Sequence, residues 1–136
     1  MSTPLSFYNA STGAAVTDMA ATMVSQWVRV HTGRPISAQA TWDATGTPVG
    51  TFSLQFTNDD IPGAGNAADT GVLTASATDY PSAAFGTTPT QPAGTADNTI
   101  LMVNAIGDYA RLKYTVSSGG TGTTLTARLD ASLRVL

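Results

Sequence analysis

The chain has 136 residues, a formal net charge of −3, a pI near 4.6 and no cysteine. This length suits one domain with a core of its own, and the absence of cysteine excludes disulfides, thiol nucleophiles and thiolate metal sites. The six basic residues are spread along the chain, whereas a nucleic-acid-binding surface needs clustered Lys and Arg.

The acidic residues and the apolar runs further limit the fold class and the cellular location to be expected. All nine acidic residues are Asp, which suits turns, and none is Glu, which suits helices, so the composition favours strands and turns. No apolar run reaches the roughly 18 residues of a membrane span, and the N-terminus lacks the basic and apolar regions of a secretory signal. We therefore expect a protein made in the cytoplasm, with neither nucleic acid nor membrane as a partner.

The first part of the chain, residues 1–24, is apolar without a clear period, and we predict an N-terminal arm there, followed by a β-sandwich domain over residues 25–136. Leu5, Phe7 and Tyr8 suit either a first short strand or contacts with a neighbouring subunit. Asp18 is a candidate N-cap for a helical turn that would reach Val24.

Alternation of apolar and polar side chains predicts the strands, because successive side chains on a strand point to opposite faces. The predicted strands cover residues 25–31, 36–42, 51–57, 73–78, 100–105, 110–116 and 125–136. Gly, Pro, Asn and Asp separate them. The long proline-containing loop at 80–98 is predicted to contact a partner through Tyr80 and Phe85, since long loops in compact domains are commonly functional.

The most regular pattern lies between Gly107 and Asp130. Apolar side chains fall on every second residue from Ala110 to Val116, and polar ones such as Arg111 lie between them. This pattern predicts one buried face and one wet face. A Gly-rich segment and a second alternating run from Leu125 follow, which together predict an antiparallel hairpin.

These strands and turns predict the fold class. About seven or eight strands, each with one apolar face to bury, favour two sheets packed face to face. We therefore predict an all-β protein, an antiparallel β-sandwich of jelly-roll-like build.

No residue pattern indicates catalysis. His31 is the only histidine, and it has no accompanying nucleophile motif. The adjacent Asp59 and Asp60 would point apart at a strand end instead of towards one substrate. With Asn58 and Asp69 they form a candidate calcium site, although solvated turn residues are the favoured interpretation. We predict no enzyme activity and no cofactor or metal.

The aromatic residues raise the possibility of sugar binding, in which an aromatic face stacks on a pyranose ring. Trp42 and Tyr114 lie on the apolar faces of alternating strands, so core packing is favoured for both. Trp27 and Tyr109 are further candidates. Tyr80, beside a proline in the long loop, is the better surface candidate.

Two stretches resemble a pattern found in small virion proteins of tailed phages. The first, at 48–60, reads PVGTFSLQFTNDD, and the second, at 108–131, reads DYARLKYTVSSGGTGTTLTARLDA. The Gly-rich segment of the second stretch is longer than the SGTGT that is usual in the pattern, and the insert at 87–98 is long.

The resemblance implies a structural role on a virus particle. It implies a decoration or cement protein that binds the outer surface of a phage head and stabilises it, with the major capsid protein or other virion proteins as partners. Virion oligomers obey symmetry, so we expect a dimer or trimer. The alternative is a carbohydrate- or receptor-binding module of a phage tail or fibre.

Overall fold

The structure is a computed structural model, and it describes residues 2–16, 18–43, 45–58, 78–80, 90–91 and 97–131; at 78–80, 90–91 and 97–102 it describes the backbone alone. These residues form eleven strands. The strands are β1 (Ser2–Leu5), β2 (Phe7–Asn9), β3 (Met23–Ser25), β4 (Val28–Arg29), β5 (Pro35–Trp42), β6 (Val49–Thr57), β7 (Thr78–Tyr80), β8 (Thr90–Gln91), β9 (Asp97–Asn104), β10 (Tyr109–Ser118) and β11 (Leu125–Asp130). The described part of the chain holds no helix long and apolar enough to cross a membrane.

The strands form two sheets, and every pairing among the described residues is antiparallel. Sheet A has four strands in the order β1-β11-β5-β9. Sheet B has seven, in the order β2-β3-β10-β6-β7, with β4 beside β10 and β8 beside β6. Apolar side chains from both sheets share one buried cluster between them. The predicted antiparallel β-sandwich is confirmed, and its jelly-roll connectivity stays a prediction.

Alternation predicts the buried faces of β5 and β6 well. Along β5, the side chains of Ile36, Ala38, Ala40 and Trp42 are buried. Trp42 stacks on Phe52 of β6 with ring centroids 5.4 Å apart, and Phe52 lies 5.0 Å from the ring of Tyr114. The core positions predicted for Trp42 and Tyr114 are confirmed. Such aromatic pairs add about 0.5–1.5 kcal/mol each beyond the area they bury.

The predicted hairpin between β10 and β11 is wrong, because the two strands lie in different sheets. β10 pairs with β6, β3 and β4, whereas β11 pairs with β5 and β1. The Gly-rich segment carries the chain across the core instead of turning it back. Gly119 and Gly120 have φ values of 67° and 94°, which favour glycine, and a Cβ on Gly120 would collide with the backbone carbonyl of Met19. The crossing is therefore closely packed.

The N-terminal residues form strands in both sheets, in agreement with the short strand that the sequence allows at Leu5, Phe7 and Tyr8. The division of the chain into an arm over 1–24 and a domain over 25–136 stays a prediction. β1 pairs with β11 in sheet A, and β2 pairs with β3 in sheet B, so the chain changes sheet at Ser6. The buried side chain of Gln26 holds this crossing. Its Oε1 accepts a hydrogen bond from Ser6 N at 2.8 Å, and its Nε2 donates to the carbonyl of Pro4 at 3.0 Å.

Two other local predictions need correction. Asp18 does not begin a helical turn; its carboxylate accepts hydrogen bonds from Ala20 N and Gly122 N, each at 2.9 Å, and so holds a turn against the Gly-rich crossing. The single strand predicted at 25–31 is broken into the end of β3 and the short β4. The strand predicted at 73–78 lies outside the described residues except for its last residue, which begins β7.

Candidate binding groove

A groove of about 770 Å³ lies at the edge of sheet A, at the point where β1 ends. We call it the edge groove. Its lining comes from β1, β2, β5, β11 and the turn after β2. The lining residues are Pro4, Leu5, Ser6, Phe7, Tyr8, Ala15, Val16, Gln39, Thr41, Leu125, Thr126, Ala127 and Arg128. Its volume lies within the roughly 300–1,000 Å³ typical of ligand sites.

The groove exists because β1 covers only part of β11. Pairing between them runs from Ser2 opposite Asp130 to Leu5 opposite Ala127, and then the chain leaves for sheet B. β11 continues to Leu125, still paired with β5 on its other side. Between Ala127 and the bridge that joins Thr124 to Asp18, no described strand pairs with the groove side of β11. The gap is about 7 Å long at the spacing of a strand.

The outward face of the groove is polar. Gln39 and Thr41 of β5 lie opposite Arg128 and Thr126 of β11, and all four are exposed. The hydroxyls of Thr41 and Thr126 are 2.7 Å apart and share a hydrogen bond. The groove therefore offers an amide, two hydroxyls and a guanidinium along one side.

Arg128 supplies the positive charge of the groove and also holds β1 in place. Its Nε donates to Ser2 Oγ at 2.7 Å, and its Nη2 donates to the carbonyl of Ser2 at 3.2 Å. Arg128 is the only charged residue in the described lining, and it forms no ion pair with a described residue. Its charge therefore remains available to an acidic group.

The inner side of the groove is apolar. Leu5, Phe7 and Leu125 are part of the main core cluster, and Val16 packs against it. No His, Cys, Asp or Glu lines the groove among the described residues. The described lining thus combines an apolar inner side with the polar groups of Gln39, Thr41, Thr126 and Arg128.

Three of the five predicted contact residues meet at the edge groove. Leu5, Phe7 and Tyr8 line it, but they are only 9%, 3% and 5% exposed, so they shape its inner side instead of forming a protruding arm. Tyr80 ends β7, which pairs with β6 at the opposite edge of sheet B from β2; its side chain is not described. Phe85 lies outside the described residues.

The sequence analysis did not single out Gln39, Thr41, Thr126 or Arg128. Alternation places them on exposed faces, which is correct, but an exposed polar residue on a strand is the ordinary case. What distinguishes these four is that they line the groove that begins where β1 ends. That neighbourhood depends on pairing between residues as far apart as Ser2 and Asp130, which no local pattern reveals.

A second cluster covers the outer face of sheet B. The Arg111 guanidinium lies 4.3 Å from the centre of the Trp27 ring, and its Nε donates to Gln55 Oε1 at 2.8 Å. The predicted wet face is wrong at Arg111, which is only 7% exposed because it packs over Trp27, itself fully buried. Arg29 lies 5.6 Å from the ring centre of Tyr109. These contacts hold the cluster together, and neither Trp27 nor Tyr109 presents a bare ring to a sugar.

The other candidate sites have structural roles where they are described. His31 is exposed in the turn after β4, where its carbonyl accepts a hydrogen bond from Arg34 N. The side-chain oxygen of Asn58 accepts one from Asp108 N at 2.9 Å. Asp59, Asp60 and Asp69 lie outside the described residues, and the described ranges contain no group of metal-ligating side chains.

Comparisons with models of known protein families and with curated protein sequences give no match for this chain.

Proposed function

We propose that the chain is a structural protein of a virus particle, a decoration or cement protein that binds the outer surface of a tailed-phage head. The observation that carries the proposal is the pair of stretches at 48–60 and 108–131, which resemble small virion proteins of tailed phages. The partners would be the major capsid protein or other virion proteins, and the working form a dimer or trimer located in the virion.

The fold supports this proposal through the placement of the two stretches. They supply β6, β10 and β11, and β6 pairs with β10 from Thr57 opposite Tyr109 to Val49 opposite Ser118. The sequence pattern thus corresponds to paired strands inside both sheets, and the contact surfaces at the sheet edges can differ on the same fold.

The edge groove gives the proposal a binding surface. Its described lining combines an apolar side with a few polar groups and one cation, and contains no His, Cys, Asp or Glu. A protein whose task is adhesion to neighbouring subunits needs such a surface and no reaction centre.

The alternative, a carbohydrate-binding module, receives less support from the described residues. Sugar sites commonly present an aromatic face, whereas Trp27, Trp42, Tyr109 and Tyr114 are all less than 10% exposed. Tyr80, whose side chain is not described, stays the aromatic candidate for that alternative.

The test is association with particles. Antibodies against the purified chain are used to probe virus particles from the native source, separated on a density gradient, with the soluble fraction of the same lysate as control. We expect the chain to co-sediment with intact heads in a fixed ratio to the major capsid protein. Absence from the particles, together with saturable binding on a glycan array, would favour the carbohydrate-binding alternative.

A further inference from the structure

We propose that the edge groove binds an extended peptide segment of a partner protein, with an acidic side chain of that segment against Arg128. The inference rests on the proposed function for the identity of the partner as a virion protein. Its chemistry rests on the groove alone.

The open side of β11 supplies the first argument. At Leu125 and Thr126, β11 pairs with β5 on one side, while on the groove side no described strand is paired with it. Backbone N–H and C=O groups at such an edge pair with an added strand, and pockets beside the edge then accept alternate side chains. β1 and the Asp18–Thr124 bridge limit this pairing to two or three residues. The segment therefore forms a short stretch of strand in the groove.

Charge supplies the second argument. Arg128 is the only charged residue in the described lining, and it has no acidic partner among the described residues. The chain as a whole carries a net charge of −3, which disfavours acidic ligands elsewhere on its surface, so the local positive charge of Arg128 would direct an acidic group to the groove. A guanidinium binds a carboxylate through charge-assisted hydrogen bonds that are stronger than neutral ones.

The apolar inner side specifies the rest of the segment. Leu5, Leu125 and Val16 face the groove from the core side, so a small apolar side chain next to the acidic one would be buried there. The nearest aromatic rings, Phe7 and Tyr8, are almost fully buried and offer no face for stacking. An extended peptide fits these features better than a sugar does.

The experiment uses the full chain and a bead-displayed library of random heptapeptides. We expect selection of peptides with one Asp or Glu next to an apolar residue, and at least about tenfold weaker binding of those peptides by Arg128→Gln. Arg34→Gln removes the same charge from an exposed turn and should bind like the original protein. Arg128→Lys should retain the acidic preference, and far-UV circular dichroism checks that each variant folds.

Ser2→Ala separates charge from strand positioning, because it removes the hydroxyl that Arg128 holds and leaves the cation. Binding by Ser2→Ala should be retained. If it falls as far as in Arg128→Gln, Arg128 acts through β1 and the inference is overturned. The amide of Leu125 faces the groove side, because Leu5 and Thr3 of β1 pair with Ala127 and Leu129 on that side. Its exchange should slow when peptide binds, and an unchanged rate would refute strand addition.

Other outcomes would overturn the proposal or assign a different occupant to the groove. Failure of the library to yield any selected peptide, or an acidic preference that survives Arg128→Gln, overturns the proposal. A concentration-dependent dimer that Arg128→Gln abolishes would make a second copy of the chain the occupant. If the chain associates with particles and Arg128→Gln binds peptides as the original protein does, the proposed function is retained and the groove proposal is overturned. If peptides are selected but the chain does not associate with particles, the groove proposal is supported and the proposed function is overturned.

Discussion

The crossing from sheet B to sheet A at Gly120 allows a sharp test of the fold. Gly120 is buried, has a φ of 94°, and lies so close to Met19 that a Cβ would collide with the backbone carbonyl of that residue. Gly33 provides a matched control. It has a similar φ of 86°, but a Cβ added there meets no atom of the described residues within 4 Å. Gly120→Ala and Gly33→Ala therefore differ in packing and share the backbone strain.

The expected magnitudes follow from these two terms. An alanine held at positive φ costs about 1–2 kcal/mol, which both variants incur. A methyl group forced into packed surroundings adds about 1–3 kcal/mol, and only Gly120→Ala incurs this cost because the obstructing atoms belong to backbone. We expect Gly33→Ala to lower the free energy of unfolding by about 1–2 kcal/mol and Gly120→Ala by about 2–5 kcal/mol.

Urea unfolding measures the difference. Trp27 and Trp42 are 0% and 6% exposed, so their fluorescence reports the loss of both the outer cluster and the core. The dependence on urea concentration should keep the same slope in both variants if only the folded state is affected. Equal destabilisation by the two substitutions would refute the close packing of the crossing against Met19.

Four further predictions concern the core and the other crossing. Phe52→Ala should cost about 3–5 kcal/mol in urea unfolding, because the Phe52 ring is fully buried between Trp42 and Tyr114; a loss below 1 kcal/mol would contradict that packing. Tyr114→Phe should raise the free energy of unfolding by about 1 kcal/mol, because the buried hydroxyl has no hydrogen-bond partner among the described residues; a clear loss would reveal a partner. Burial raises the pKa of Tyr114 above 10.0. Above that pH the unfolded state releases a proton that the folded state keeps, so the free energy of unfolding should fall as the pH rises. The fall should be less steep in Tyr114→Phe, which lacks the hydroxyl. Gln26→Ala should cost about 2 kcal/mol by removing both bonds at the crossing, and Gln26→Glu should cost at least as much, because it sets a buried carboxylate oxygen against the Pro4 carbonyl; a loss below about 1 kcal/mol in Gln26→Ala would argue against both bonds.

The sequence predicts the burial of individual residues better than the partners of individual strands. Alternation identifies the buried faces of β5 and β6 because burial on a strand has a period of two and depends on the strand alone. The same alternation fits two strands in one sheet and two strands facing each other across a core. It therefore could not distinguish the hairpin from the crossing at Gly119 and Gly120.

Exceptions arise where a polar side chain covers an aromatic one. Arg111 follows the alternating pattern and points outward, yet it is buried because Trp27 lies beneath it. A long side chain with a charged end can cover apolar surface in this way. The sequence also could not predict the edge groove. Arg128 gains its role there from its hydrogen bond to Ser2 and from the change of sheet at Ser6, and both depend on residues far apart in the chain.

The pairing of β1 with β11 also sets the order in which the molecule can be completed. During synthesis, Ser2–Leu5 leave the ribosome long before Leu125–Asp130, and at roughly 5–20 residues per second the wait is several seconds or more. Throughout that time the N-terminal segment has no strand to join in sheet A, and the edge groove lacks the lining residues that β11 supplies. A partner that recognises the groove would therefore bind finished chains and pass over nascent ones.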